Sequence, residues 1–256
     1  ISQGIEIEIA GQSISTIKLA LENAGIKGCT VVHDGTPSVD AEIVLPPLCY
    51  FNLDGSTCQV SIEYLNSVLR VLKRLDCRIN SHCGLHVHVG IYPLDERQTA
   101  SNWSTSSIQH KENTGRYYTD GLLSEAIDAV VWFDVLYRYS RQQTAINRLL
   151  PSSRTDNRYC YATNINAFEG LDANNATIQS VKALTRGKFS TINFETWRNG
   201  TVEFRQHSGT IEMEKIVYWL RFIRTLVNWS RNSRVETGSG STTETTPENP
   251  FRNGSR

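Results

Sequence analysis

The sequence predicts an α+β fold in which a β-sheet has one apolar face and one polar face. Residues 4–9, 84–89 and 201–205 alternate apolar residues with acidic, basic or imidazole side chains, which is the two-residue period of a half-buried strand. Residues 60–75 and 212–230 instead repeat apolar residues every three or four positions, as amphipathic helices do. Because strands and helices do not follow a regular βαβ order, a parallel α/β sheet is not expected.

The other predicted elements are shorter. Helices are predicted where apolar residues keep helical spacing, and strands where β-branched or alternating residues precede a turn signal. Residues 98–119 are polar and predict a long loop of the kind that often carries function. Residues 141–160 are basic and predict irregular structure. The helices are expected at residues 14–24, 121–140 and 174–184, and the strands at residues 30–33, 40–45 and 189–194.

The domain organisation follows from length and composition. At 256 residues the chain is long enough to bury a full hydrophobic core, and we expect one catalytic domain over residues 1–230. After Ser230 the composition shifts, and Glu236 to Arg256 is dominated by small and polar residues. Such a segment cannot bury enough apolar surface to offset its ordering entropy, so residues 231–256 are predicted to form a disordered polar tail.

The charge balance limits the classes of partner. Lys plus Arg equals Asp plus Glu at 26 each, which gives no electrostatic reason to expect nucleic acid or an anionic membrane as partner. The sequence contains no apolar run of the ~20 residues that cross a bilayer. Assembly into a homo-oligomer is left open by the sequence.

The first residue and the cysteines bear on location. The chain begins at Ile1 without Met, so we expect a fragment or a processed form, and a lost targeting segment stays open. The six cysteines contain no CxxC pair and predict buried free thiols in a reducing compartment rather than a disulfide framework. A cytoplasmic location is the expectation.

The first strand carries two carboxylates on one face. Glu6 and Glu8 lie about 6–7 Å apart along the strand, which suits two neighbouring cations better than one. Hard oxygen ligands favour Mg²⁺ or Mn²⁺. The alternative is an exposed edge strand whose glutamates are solvated.

The histidine strand is the more specific signal. His86 and His88 alternate with apolar residues, and His82 precedes them. This pattern fits a zinc site, or a mixed carboxylate and imidazole site for a divalent cation that bridges phosphates, or a structural histidine pair. Glu203 and Arg205 repeat the spacing with opposite charges, which fits phosphate binding or a surface ion pair.

Five segments taken in order resemble the amidoligase family, a branch of the glutamine synthetase and γ-glutamylcysteine ligase superfamily of carboxylate–amine ligases. The resemblance extends from residue 4 to about residue 228, and no Walker loop, GxGxxG or GxSxG motif competes with it. The segments are GxExE, HDGT with AEIVLPPL, CGLHVHVG, SSRxxNRYC and TVEFRQHSGT.

The resemblance implies a curved, mainly antiparallel sheet with helices on its outer face and a glutamine-synthetase-like catalytic domain. It implies ATP and Mg²⁺ or Mn²⁺ as cofactors, with Arg205, Arg154 and His88 near the nucleotide and Asp34 near the site. Arg205, Arg154, Glu203 and His207 are the implied catalytic residues, with His207 or a carboxylate as the general base. The implied metal ligands are Glu6, Glu8, Glu42, His86 and Glu203.

The function expected from this resemblance is ATP-dependent ligation of a carboxylate to an amine through an acyl phosphate, with release of ADP and phosphate. The substrates would be small-molecule or peptide carboxylates and amines. Two alternatives stay open: a zinc-dependent hydrolase that uses His82, His86 and His88, and a non-catalytic nucleotide-binding module on a ligase scaffold.

Overall fold

The computed structural model describes residues 1–91, 129–155 and 158–238, and these residues form an α+β fold, as predicted. Its centre is an open six-stranded sheet in which every pair of neighbouring strands is antiparallel, in the order β2-β3-β1-β4-β6-β5. The predicted loop at residues 98–119 lies outside the described residues. The strands are β1 Gln3–Ile9, β2 Thr30–Val32, β3 Ala41–Val44, β4 Gly84–Gly90, β5 Ile192–Asn193 and β6 Thr201–Ser208.

Five α-helices accompany this sheet in the described part of the chain. The first begins where the Ser13 hydroxyl accepts from the Thr16 amide, and it ends before Gly25, whose φ of +69° favours glycine. A capping box formed by Thr177 and Ser180 starts the fourth helix. The helices are α1 Ile14–Asn23, α2 Gln59–Arg74, α3 Ala129–Leu149, α4 Ile178–Ala183 and α5 Met213–Gly238.

The strict alternation along the central strands separates the core from the polar face. One face of β1 presents Ile5, Ile7 and Ile9, which are completely buried. Their neighbours on β3, β4 and β6 are apolar in the same register, and the helices pack on them to form one continuous core. Burying each such side chain stabilises the fold by about 1.5–3 kcal/mol, so the apolar face fixes which way the polar side chains point.

Helix α3 continues to Leu149, nine residues beyond the predicted end at residue 140, so the irregular structure predicted for residues 141–149 was wrong. The periodicity continues there, but polar residues occupy the inward positions. Gln143 donates to Oε1 of Gln206 at 2.9 Å, and Gln206 donates to Oδ1 of Asn147 at 2.7 Å. Tyr139 Oη donates to the same Gln206 oxygen at 2.7 Å, which completes a buried polar network between α3 and β6.

Helix α5 ends at Gly238, whereas the predicted helix ended at residue 230. Residues 231–238 were therefore wrongly assigned to the disordered tail, because no Pro or Gly interrupts the helix before Gly238 and each added residue contributes one backbone hydrogen bond. Residues 239–256 lie outside the described residues, so disorder there stays a prediction. None of the helices in the described ranges is long and apolar enough to cross a membrane.

The cysteines agree in part with the sequence prediction. All six are free thiols, as expected from the lack of paired spacing. Cys77, Cys83 and Cys160 are buried, whereas the other three are only half-buried. Burial raises the pKa of the Cys160 thiol, which keeps this sulfur neutral.

The network around Gln206 predicts the effect of a conservative substitution. Tyr139→Phe removes the hydroxyl that donates to Gln206 and should lower the free energy of unfolding by about 1 kcal/mol, the usual cost of one lost buried hydrogen bond. Tyr137→Phe is the matched control, because Tyr137 lies in the same helix as Tyr139 and its ring packs on Phe168, outside the network around Gln206. Urea unfolding measures both changes, and equal effects of the two substitutions would contradict the role given to the network.

Candidate metal and anion site

The polar face brings the predicted ligands together through the strand register. Glu6 pairs with His86, Glu8 with Glu42, and His88 with Glu203. Residues that pair directly across antiparallel strands point to the same face, with Cβ atoms about 5 Å apart. The four central strands therefore supply one continuous cluster of carboxylates and imidazoles, as the alternation predicts.

His86 lies at the centre of this cluster. Its Nδ1 lies 3.3 Å from Oε2 of Glu6 and 3.4 Å from Oε1 of Glu203. Its Nε2 lies 3.5 Å from Oε1 of Glu8. His86, Glu8 and Glu203 are each less than 5 % exposed, so these groups interact in an environment from which water is largely excluded.

Glu6 links the two histidines of β4. Nε2 of His88 lies 2.9 Å from Oε1 of Glu6, while the other Glu6 oxygen faces His86. Burial alone would raise the pKa of the Glu6 carboxyl, but the charge of His88 and hydrogen bonds from both imidazoles outweigh it and hold that pKa well below its ordinary value. Glu6 is therefore ionised and available as a cation ligand.

Glu42 is in the opposite electrostatic situation. Burial, followed by the nearby carboxylates of Glu6, Glu8 and Asp34, raises the pKa of the Glu42 carboxyl to about 9. In the metal-free protein, a proton on Glu42 thus reduces the repulsion among these neighbouring carboxylates. A divalent cation at this place would favour the ionised form and displace that proton.

Two groups of side chains have ligand atoms close enough to hold a cation. One contains Glu6, His88 and Glu203, and the other contains Glu6, Glu42 and His86, with the ligand atoms of each group within 4.8 Å of one another. Glu6 belongs to both, so its two oxygens could serve two neighbouring ions. The donor sets consist mainly of carboxylate oxygens, which suits Mg²⁺ or Mn²⁺ better than zinc.

Two predicted ligands stand apart from these groups. Oε2 of Glu8 accepts from the Gly84 amide at 2.6 Å, and Glu8 belongs to neither group. His82 is exposed in the turn before β4 and also belongs to neither, so the described residues do not bring three imidazoles together. This arrangement gives the zinc-hydrolase alternative no support.

Two arginines border the cluster. The Arg205 guanidinium pairs through Nη1 with Oε1 of Glu203. Burial lowers the pKa of Arg205, but Glu203 and the neighbouring acids outweigh that effect, so the pKa is raised overall. Arg154, which is 3 % exposed, donates from Nε to the His207 carbonyl at 3.1 Å. Nη2 of Arg154 and Nε of Arg205 have no hydrogen-bond partner among the described residues. Buried cationic donors without partners are suited to bind an anion.

A β-bulge in β6 separates His207 from the predicted site. The pairing moves from Val87 with Phe204 to Leu85 with His207, so β6 has one extra residue opposite His86. His207 consequently lies on the helix side of the sheet, where its ring packs 5.1 Å from Trp219. Burial, Arg154 and Lys215 lower its pKa. The expected catalytic role of His207 has no geometric basis in this arrangement.

Sequence reasoning missed several residues of the site. Asn193 donates from Nδ2 to Oε2 of Glu203 at 2.6 Å and fixes that carboxylate. Cys160 donates from Sγ to the Arg205 carbonyl at 3.4 Å. At Gly84, a Cβ atom would overlap Nη2 of Arg154 and lie 2.7 Å from Nε2 of His86, so glycine leaves the space that the guanidinium fills. The sequence signals for these residues were Gly84 at the start of the histidine strand and Cys160 at the end of the SSRxxNRYC segment.

Comparison with known proteins supports the resemblance for part of the chain. Residues 27–112, about a third of the sequence, match the family described as "Putative amidoligase enzyme". The matched stretch contains Glu42, His86 and His88, whereas Glu6 and β6 lie outside it. Over that stretch, the match agrees with the resemblance that the motifs indicate. No curated protein and no solved structure matched the chain.

The raised pKa of Glu42 predicts a pH effect on stability. Since the folded carboxyl keeps its proton up to about pH 9, whereas an unfolded glutamate loses it near its ordinary value of 4.5, the metal-free protein should become less stable as pH rises between these values. Glu42→Gln removes this contribution, so its unfolding free energy should fall less steeply across the window. The difference in slope is at most about 1.4 kcal/mol per pH unit.

Urea unfolding with a chelator present, repeated across this pH range, measures the slopes. Glu22→Gln is the matched control, because Glu22 is exposed on α1 and lies outside the cluster. Parallel curves for wild type and Glu42→Gln would show that Glu42 is not held protonated.

Proposed function

We propose that this chain, of which residues 27–112 match the amidoligase family, is an ATP-dependent ligase that joins a carboxylate to an amine. The observation that carries the proposal is the polar face itself. There, four carboxylates surround His86, and the guanidinium groups of the buried Arg154 and the half-buried Arg205 border them. Such a face can hold cations and bind phosphate oxygens at the same place, as phosphoryl transfer requires. We also propose that the catalytic domain is of the glutamine synthetase type.

The proposed reaction has two steps. An oxygen of the substrate carboxylate attacks the γ-phosphorus of ATP, the bond to the bridging oxygen breaks, and ADP leaves. The amine then attacks the carbonyl carbon of the acyl phosphate, the C–O bond to phosphate breaks, and the amide forms. One proton leaves the attacking nitrogen, so a base must lie on the same face as the substrate.

Glu6, Glu42, His86, His88 and Glu203 would hold Mg²⁺ or Mn²⁺, with Glu8 next to them. These ions, when bound, supply charge neutralisation on the phosphate oxygens. Once Glu42 gives up its proton, four carboxylates face the guanidinium groups of Arg154 and Arg205, so a cation that replaces this proton restores the charge balance of the face.

The arginines have a separate role in the proposal. Arg205 and Arg154 each have one nitrogen without a hydrogen-bond partner in the described part of the chain, and Arg205 is held in place by Glu203. Their planar guanidinium groups would bind the oxygens of the transferring phosphoryl group, where bidentate contacts add both energy and orientation. Of the two bases expected from the sequence, His207 lies on the other side of the sheet, so the proposal assigns proton removal to a carboxylate of the polar face.

The direct test is ADP release with Mg²⁺ and pools of acids, with hydroxylamine as the amine. A ligase that forms an acyl phosphate should accumulate a hydroxamate together with ADP and phosphate, and a chelator should stop the reaction. AMP as the product would point to adenylation instead. Nucleotide binding without turnover of any acid would support the non-catalytic module.

Arg205→Lys should lower kcat by about tenfold to a hundredfold, because lysine keeps the charge but loses the fork that binds two oxygens. KM for the acid should change less, since the contact strengthens as charge moves onto the transferring group. Steady-state ADP release measures both constants. Arg186→Lys is the control, because Arg186 is exposed and its guanidinium lies over the Tyr161 ring, 4.8 Å from the ring centroid. A nearly silent Arg205→Lys would reduce Arg205 to an ion-pair partner of Glu203.

Gly84→Ala should displace the Arg154 guanidinium from its place beside His86 and lower kcat by about tenfold or more. The nearest atoms to the added Cβ belong to the side chains of Arg154 and His86 and not to the backbone, so the fold should stay intact while these two side chains shift. Gly35→Ala is the matched control, because a Cβ atom there would meet nothing within 4 Å. Full activity of Gly84→Ala with an intact fold would exclude Arg154 from the reaction.

A further inference from the structure

A cavity lies on the helix side of the sheet, away from the carboxylate cluster. It has a volume of about 580 Å³ and lies between the end of α3, the end of β6 and the start of α5. His207 is part of its wall, and the register opposite Leu85 places His207 on the apolar face of the sheet. A volume of this size is typical of sites that bind small molecules.

The wall of this cavity is mainly apolar and aromatic. Trp219 and Phe222 stack on each other with ring centroids 5.1 Å apart and an angle of 16° between planes, and both rings line the cavity. Leu149 and Tyr218 are 84 % and 70 % exposed at the rim. Large apolar side chains left exposed around a concave surface mark a binding site more often than a bare solvent face.

The polar groups of the wall select the charge of the ligand. Lys215 is the charged residue among those that line the cavity, and no carboxylate faces it from the described residues. Nδ1 of His207 lies 2.7 Å from the Ser208 carbonyl and donates to it, which leaves Nε2 as an acceptor in the neutral ring. An aromatic body with an anionic group complements this combination of an aromatic wall and a single ammonium among the lining residues.

We propose that the cavity between α3, β6 and α5 binds a small aromatic carboxylic acid, whose ring packs against the apolar and aromatic wall and whose carboxylate pairs with Lys215. This site is separate from the polar face and does not depend on the ligase chemistry. Its wall is continuous with the segment that carries Arg154, since Pro151 lines the cavity and Arg154 donates to the His207 carbonyl. A bound acid would therefore contact both the segment that carries Arg154 and the end of β6, the strand that carries Arg205.

The test is isothermal titration calorimetry of the full chain with 2-naphthoate and with its uncharged analogue 2-naphthamide. We expect saturable binding of 2-naphthoate at micromolar to millimolar concentrations and weaker binding of the amide. Lys215→Gln should weaken the binding of 2-naphthoate by about threefold to tenfold and leave the binding of 2-naphthamide unchanged, since only the acid has a charge that pairs with the ammonium. Tyr218→Ala should weaken both probes, and its exposed position makes this truncation tolerable to the fold.

Two control variants test whether cationic side chains elsewhere on the protein account for the binding of 2-naphthoate. Lys18→Gln removes an exposed ammonium at a different cavity and should leave binding of 2-naphthoate unchanged. Arg205→Gln removes a guanidinium of the polar face and should also leave it unchanged. The proposal is overturned if neither probe binds. It is equally overturned if Lys215→Gln and Tyr218→Ala bind like wild type, or if Arg205→Gln abolishes binding.

Discussion

The mutual repulsion of four carboxylates on one side of a single sheet is the constraint that the rest of the polar face accommodates. Glu6, Glu8, Glu42 and Glu203 are held together by strand pairing and therefore cannot move apart. The fold offsets their charge in three ways: His86 among them, guanidinium groups at the border, and a proton on Glu42. The guanidinium groups keep their charge, whereas the proton on Glu42 is reversible, so the cluster can exchange that proton for a cation.

The rigidity that this crowding requires comes from the opposite face. The apolar residues of β1, β4 and β6 are fully buried against the helices, so the strands that carry the acids cannot rotate to relieve the repulsion. The polar network of Gln206 adds a specific contact, because it ties the middle of β6 to α3 through Tyr139 and Asn147. Core packing thus supplies the free energy that keeps like charges adjacent.

Period-two alternation predicted most of this arrangement, since a side chain's face follows from its position once a segment is a strand. It identified Glu6, His86 and Glu203 correctly as neighbours. It failed where backbone geometry departs from the period: the bulge moves His207 to the helix side. The length of α3 was missed because Gln143 and Asn147 point inward to make hydrogen bonds, which hydrophobic spacing cannot reveal. Contacts such as that of Asn193 depend on strand order, which no single segment encodes.

The extra residue in β6 also sets a limit on how the sequence can vary. Because two residues lie opposite His86, the small Ser208 rather than His207 pairs with Gly84, beside the place that the Arg154 guanidinium occupies. Inserting or deleting one residue between Glu203 and Ser208 would exchange the side chains presented to the two faces. The number of residues in that segment is therefore under as strong a constraint as their identity, and homologous chains should vary there by substitution rather than by length.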